Sequence, residues 1–227
     1  MKKDRTKEKA SNQRMNNGVT IACQKFIKNL TGASTEEIQS YSAEISADRE
    51  FYNRLEGNQM SVGRRRFSSW GIGPTLGVVL YVICRKLRPE AVVETGVSSG
   101  VSSSYILHSL EDNKSGALYS IDLPGQGQSG WLIPDYLRHR WQLIPGMSVE
   151  ELPPLLEKLR TIDIFLHDSE HSYENMLWEY QTAWVHLKAG GILLSHNIDS
   201  NYAFDDFCQS VGVEGYALSN LGGIVKA

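Results

Sequence analysis

The densest run of acid and base side chains in the chain is His167-Asp168-Ser169-Glu170-His171-Ser172-Tyr173. It follows directly on the apolar stretch Ile162-Asp163-Ile164-Phe165-Leu166. Packing alone does not call for so many titratable groups on one loop, so the run is a candidate for chemistry. A histidine titrates near neutral pH, so His171 can accept a hydroxyl proton, and a neighbouring Asp168 carboxylate would orient the ring and raise its basicity. The bland alternative packs His171 under Trp178 and Tyr180. A second run, His196-Asn197-Ile198-Asp199, closes a later apolar stretch. Groups from both runs could meet on one metal ion. Asp168, His171 and His196 together make two histidines and a carboxylate, the ligand set of non-haem iron oxygenases.

Earlier in the chain, Ala91-Val92-Val93-Glu94 leads into Thr95-Gly96-Val97-Ser98-Ser99-Gly100. Glycines there let the backbone turn sharply and approach a ligand. The amino end of the following helix suits a carboxylate or phosphate, and an acid at the strand end can accept from an ammonium. An ammonium beside a carboxylate is an amino-acid moiety, such as the one in S-adenosylmethionine. The dinucleotide pattern G-x-G-x-x-G is not matched, because position 98 is serine, and this disfavours a nicotinamide-linked oxidoreductase. Asp122 ends the next strand, where an acid accepts both hydroxyls of a ribose, which supports an adenosine ligand without choosing between cofactors. Pro145-Gly146-Met147-Ser148 follows the third strand. Ser148 and Glu151 have capping-box spacing, and the same turn can present Met147 to an adenine face.

These runs need elements to position them. Strands at 91–94, 117–122, 141–144, 162–166 and 192–195 alternate with helices at 101–112, 148–160, 172–188 and near 202–211, and Gly190-Gly191 is read as the stop of the 172–188 helix. Such alternation predicts right-handed crossovers and a doubly wound α/β sheet, with ligands at the carboxyl ends of its strands. Two last strands, 214–219 and 222–226, are joined too tightly for a crossover and are expected to form an antiparallel hairpin at the sheet edge. Upstream, a buried helix at 74–88 carries Pro74 in its first turn and Pro89 beyond its end. An amphipathic helix is expected at 34–56, ended by Gly57-Asn58, with a loop at 59–73 holding Arg64, Arg65, Arg66 and Trp70. The polar, basic residues 1–17 are expected to be disordered, 18–73 to form a helical cap and loop, and 74–227 the main domain.

The 227 residues suffice for one full core. A net charge of −3 and a pI near 6.1 argue against bulk nucleic-acid affinity. Cys23, Cys84 and Cys208 lie far apart with no metal-ligand spacing, which fits idle thiols in a reducing compartment. No apolar run reaches the length of about 20 that a membrane span needs, and no leader pattern is visible. A cytoplasmic protein with no nucleic-acid or membrane partner is expected, with a homodimer as the assembly considered.

Taken together, Glu94-x-Gly96-x-x-x-Gly100, Asp122, Asp168-x-x-His171-x-Tyr173, Gly190-Gly191 and the closing hairpin resemble class I S-adenosylmethionine-dependent methyltransferases over about residues 74–227. The likeness is greatest to the bacterial small-molecule group that includes catechol and macrolide-sugar O-methyltransferases and proteins labelled cephalosporin hydroxylases. The resemblance implies a mostly parallel, Rossmann-like seven-stranded sheet. It implies that Glu94, Gly96, Ser98 and Gly100 hold the methionine part of the cofactor, Asp122 its ribose, and Met147 and Ser148 its adenine, with Asp168 beside it. Metal-dependent relatives place an acid after strand four and an acidic or amide pair after strand five. Asp168, His196 and Asn197 occupy those positions here, and the histidine departs from the pattern. Magnesium prefers oxygen ligands, so at most modest magnesium dependence is expected. The implied activity is methyl transfer to an oxygen of a small metabolite, with nitrogen second. His171 is the base and Asp168 its orienter or a metal ligand. The N-terminal helical segment would cover the substrate, and Arg64 to Arg66 would meet an anionic group or simply be solvated. A metal-dependent hydroxylase on the same fold and a non-catalytic cofactor-binding protein are the rivals.

Overall fold

The computed structural model describes residues 19–61, 72–125 and 129–227. The basic N-terminal segment and the three arginines at 64–66 lie outside the described residues. The apolar runs form strands because their side chains can be covered on both faces. They are β1 (Ala91–Thr95), β2 (Ala117–Asp122), β3 (Trp141–Pro145), β4 (Ile162–His167), β5 (Leu187–Ser195), β6 (Tyr216–Leu218) and β7 (Leu221–Val225). They make one seven-stranded sheet in the order β3-β2-β1-β4-β5-β7-β6. β1 to β5 pair in parallel, while β7 is antiparallel to both β5 and β6. The closing hairpin is therefore present as expected, with β7 inserted between β5 and β6.

Two apolar layers cover the sheet. On one face, α1 (Ile21–Thr31), α2 (Thr35–Ala47), α3 (Arg49–Ser61), α4 (Pro74–Leu87) and α5 (Val101–Asn113) share a single core cluster. On the other, α6 (Ser148–Leu159), α7 (Tyr173–Trp184) and α8 (Ala203–Val211) pack over Val93, Phe165 and Leu193. α5 is buried all round from Val101 to Leu110, its four serines and His108 included, so it shows no solvent-facing stripe over that stretch. All three cysteines are free and buried.

Three elements differ from the sequence reading. The helix expected at 34–56 is two helices, broken at Asp48, whose side chain caps the second by accepting from the Phe51 N–H at 2.8 Å. Asp48 also meets His108 on α5 at 3.1 Å, so the break is fastened to the core. The second helix runs past Gly57-Asn58 to Ser61, and an earlier helix, α1, has Thr20 as its cap. Gly190-Gly191 does not stop α7, which ends at Trp184. The pair sits inside β5, at a register shift against β4 between Ile162 and Ile164. Gly190 adopts φ +77° there, and its N–H donates to Lys226 at 2.7 Å. Those glycines serve a bulge that keeps β7 in place.

Candidate active site

The carboxyl ends of β1 to β5 open onto one cavity of about 740 Å³, a size typical of cofactor and small-molecule sites. Gly96, Val97, Ser98 and Ser99 come to it from β1, Asp122 and Leu123 from β2, and Gly146 to Val149 from β3. Asp168, Ser169, Glu170 and His171 follow β4, His196 and Asn197 follow β5, and Asn220 comes from the hairpin turn. Ile72, Gly73 and Leu76, just before and at the start of α4, and Val101, Ser102 and Asn175 from α5 and α7 add further wall. Among the described residues, none from α1 to α3 lines it. Of the cover expected from the helix at 34–56 and the loop at 59–73, the helix contributes no lining residue, Ile72 and Gly73 of the loop do line the cavity, and residues 62–71 lie outside the described residues.

The β1 turn is shaped by three left-handed residues, Gly96, Ser98 and Gly100. The Ser98 N–H donates to Asp122 at 3.2 Å, which ties the first two loops together. Gly100 does not reach the cavity. It caps α5, and a Cβ there would sit 2.8 Å from the Gly130 Cα. Its role in this structure is close packing of the 129–133 segment, whose Gly130 and Leu132 N–H groups donate to Ser98 and Ser99 carbonyls.

Glu94 also stands behind the cavity wall rather than in it. Its carboxylate is fully buried and accepts from Ser102 at 2.5 Å, Ser103 at 2.6 Å and Ser120 at 2.9 Å. Burial pushes this carboxyl up to about 7, although the three hydroxyls favour its charged form. Because the folded-state value is raised, Glu94 stabilises the fold most at low pH, and that contribution is lost as pH rises through 7. We expect Glu94→Gln, permanently neutral and of similar shape, to remove a loss of about 3 kcal/mol that the parent suffers between its ordinary range and pH 8. Thermal melts of both proteins at about pH 5 and about pH 8 measure it; parallel pH dependence in the two would contradict the assignment.

On the β4 side, Asp168 is held by its own N–H donating to Thr95 at 2.8 Å. Its carboxylate lies 2.8 Å from His196 Nδ1 and 3.9 Å from His171 Nε2. Asp168 therefore hydrogen-bonds His196, and its expected role as orienter of His171 is not what the distances show. His196 Nε2 faces the Asn220 amide nitrogen at 3.0 Å, and that amide also donates to Asn197 at 2.9 Å. These partners fit a His196 that carries its proton on Nδ1. The ligand atoms of Asp168, His171 and His196 all lie within 4.8 Å of one another, so one ion could take all three. Two imidazoles suit zinc, iron or manganese better than magnesium. Asn197 has φ 55° and its side-chain oxygen is already engaged by Asn220.

His171 is half-buried, and burial holds its pKa below 6.5 against the opposing pull of Asp168. Beneath it lies a carboxylate that sequence reasoning did not single out. Glu179, on α7, is fully buried and accepts from Thr95 at 2.5 Å and Ser169 at 2.7 Å, and it pairs with His167 Nδ1 at 2.6 Å. Burial pushes its carboxyl up, but the His167 bond leads a set of contacts that outweigh it and keep the group ionised. The signal was present: Glu179 falls within the apolar stripe Met176, Tyr180 and Ala183, a place where a lone acid needs a partner.

Residues 93–198 match the Methyltransf_24 family model, described as a methyltransferase domain. Similar solved structures include the methyltransferase PaMTH1 of Podospora anserina with SAH bound, at 15% identity and TM-score 0.59, covering 86% of this chain and 97% of that one. An O-methyltransferase from Bacillus cereus in complex with SAH has 14% identity and TM-score 0.58, covering 88% and 100%. The O-methyltransferase TomG of Streptomyces achromogenes, in complex with SAM, has 13% identity and TM-score 0.60, covering 79% and 91%. No curated protein sequence matches the chain. The chain shares the Rossmann-like fold of these methyltransferases, and the matched methyltransferase domain spans just under half of it. Among the described residues no helix is long and apolar enough to cross a membrane.

Proposed function

We propose that the protein transfers a methyl group from S-adenosylmethionine to an oxygen of a small metabolite, with His171 as the base. One observation carries this reading: the β1, β2 and β3 loops and the acid/base residues of the β4 loop line the same cavity. The residues fit the cofactor. Asp122, tied to the β1 turn, offers a carboxylate at the ribose position, and Met147, half exposed, offers an apolar face beside it. The cofactor, when bound, supplies a methyl already activated on a sulfonium. The chain then has to align the acceptor, exclude water and take one proton. His171, on the cavity wall and held largely uncharged by burial, is placed to take it. Asp168 and His196 form a second polar pair on the same wall, which would orient the acceptor hydroxyl or share a divalent ion.

Calorimetry with S-adenosylmethionine, S-adenosylhomocysteine and NAD tests the cofactor class. In the same titration, Asp122→Ala should weaken S-adenosylmethionine binding by about 10- to 150-fold, the worth of charge-assisted hydrogen bonds of about 1.5–3 kcal/mol. Unchanged affinity in that variant, or preferential binding of NAD by the parent, would move the pocket or the class.

A further inference from the structure

Among the described residues, two buried side-chain nitrogens have no hydrogen-bond partner: His167 Nε2 and His171 Nδ1. They belong to neighbouring rings, with centroids 5.6 Å apart and planes at 69°. An unmet buried nitrogen is costly, so two on adjacent rings point to one shared occupant. Only one of the two rings has its other nitrogen hydrogen-bonded. His167 Nδ1 lies 2.6 Å from Glu179. His171 Nε2 stands 3.9 Å from Asp168, beyond hydrogen-bond reach, and only Nδ1 is the buried nitrogen of that ring.

We infer that His167 and Glu179 are positioning residues for His171, joined to it by one buried water between His167 Nε2 and His171 Nδ1, and that this chain sets which nitrogen of His171 faces the acceptor as a lone pair. The inference rests on the reading of His171 as the base. Its direction follows from Glu179. That carboxylate already accepts from Thr95 and Ser169, and an ionised carboxylate has no proton to give. His167 therefore donates through Nδ1, and as a neutral imidazole it presents Nε2 as an acceptor. The water donates to that Nε2 and accepts from His171 Nδ1–H. His171 then keeps its lone pair on Nε2, toward the cavity. When Nε2 takes a proton, the new charge is met through Nδ1–H, the water and His167 by the buried Glu179 carboxylate. The other groups facing His171 are Asp168 and His196, and these two are bonded to each other. Neither supplies a partner for His171 Nδ1.

The test reads the tautomer directly and needs no ligand. Imidazole nitrogen spectra of the full-length ¹⁵N-labelled protein, at a pH of about 8 where histidine is neutral, should show His171 carrying its proton on Nδ1; its signals are identified by their loss in His171→Ala. In Glu179→Gln the new amide donates to His167 Nδ1, the chain reverses, and His171 should move its proton to Nε2. Turnover should then fall by about 100-fold or more, the lower end of what a general base contributes, with KM and cofactor affinity unchanged. A parent His171 protonated on Nε2, or an unchanged tautomer in Glu179→Gln, overturns the inference. Should Glu179→Gln not fold, His167→Phe keeps a ring in place and removes the acceptor, and His171 should then populate both tautomers. An active His171→Ala protein alongside the expected tautomer shift would sink the base reading and leave the hydrogen-bond chain standing.

Discussion

His171→Ala is expected to lower kcat by about 10²–10⁴-fold, the usual contribution of a positioned general base, with little change in cofactor affinity or melting temperature. The side chain is only half-buried, and its Nδ1 has no protein partner, so its removal breaks no protein hydrogen bond at that atom. The packing alternative predicts the opposite: lower stability with turnover per folded molecule intact. The geometry disfavours it, because it is His167, not His171, that packs edge-on against Tyr180. The same assignment fixes a pH profile. Only uncharged His171 accepts a proton, and burial holds its pKa below 6.5. The rate should therefore be flat through neutral pH and fall only as the solution becomes more acidic than the ordinary histidine range. Single-turnover rates, calorimetry and melting curves on this one variant distinguish the two accounts. Full activity in a folded His171→Ala protein would pass the role to Asp168 or His196.

The second large effect is structural. Gly96 has φ +84°, and a Cβ built there would lie 2.1 Å from the Asp168 carbonyl oxygen. That oxygen belongs to backbone held by the Asp168 N–H bond to Thr95, so it cannot rotate away as a flexible side chain would. Gly96→Ala meets both the left-handed strain, about 1–3 kcal/mol, and the overlap, another 1–3 kcal/mol if the loop gives way. For a chain of this size each kcal/mol is worth about 2–4 °C, so calorimetric melting should fall by about 4 °C at least. Gly96→Val should do worse, and both should lose cofactor binding because Asp168 and Ser98 move with the turn. A melting temperature and cofactor affinity equal to the parent's would show that this turn tolerates a side chain.

Gly96 also illustrates how far the sequence could be read. Its spacing from Glu94 and Gly100 marked a sharp turn, and the turn is there. The reason for the glycine was not legible, because it depends on the β4 loop crossing behind it, more than 70 positions away in the chain. The βαβ rhythm was legible because parallel strands are apolar runs covered on both faces, and Val92, Phe165 and Leu193 need only local chemistry to be recognised. The break at Asp48 was not, because an aspartate in a periodic stretch can face solvent or cap a new helix, and only its contact with His108 decides. Gly190-Gly191 was read as a helix stop when it is a bulge, since helix ends and bulges both need left-handed glycines. The candidate site divides in the same way. Asp122, Met147, Asp168, His171 and His196 were placed by the rule that ligands meet strand ends. Glu94 and Gly100 share the same motif but turn away from the cavity, and Glu179 enters from a helix whose apolar face hid it.

The turn between β6 and β7 contributes Asn220, whose amide reaches both His196 and Asn197, and whose carbonyl receives the Ile198 N–H at 3.1 Å. Surface hairpin tips are ordinarily where a chain accepts insertions, tags and changes of length. This one is different, because its tip is a wall of the cavity and its backbone is bonded to the loop that carries His196. Adding or removing a single residue there would slide Asn220 out of reach and unpin that loop, while leaving the rest of the sheet intact. The length of this turn is thus part of the site's specification, and chain-length variation that spares it belongs elsewhere, at connections that face solvent.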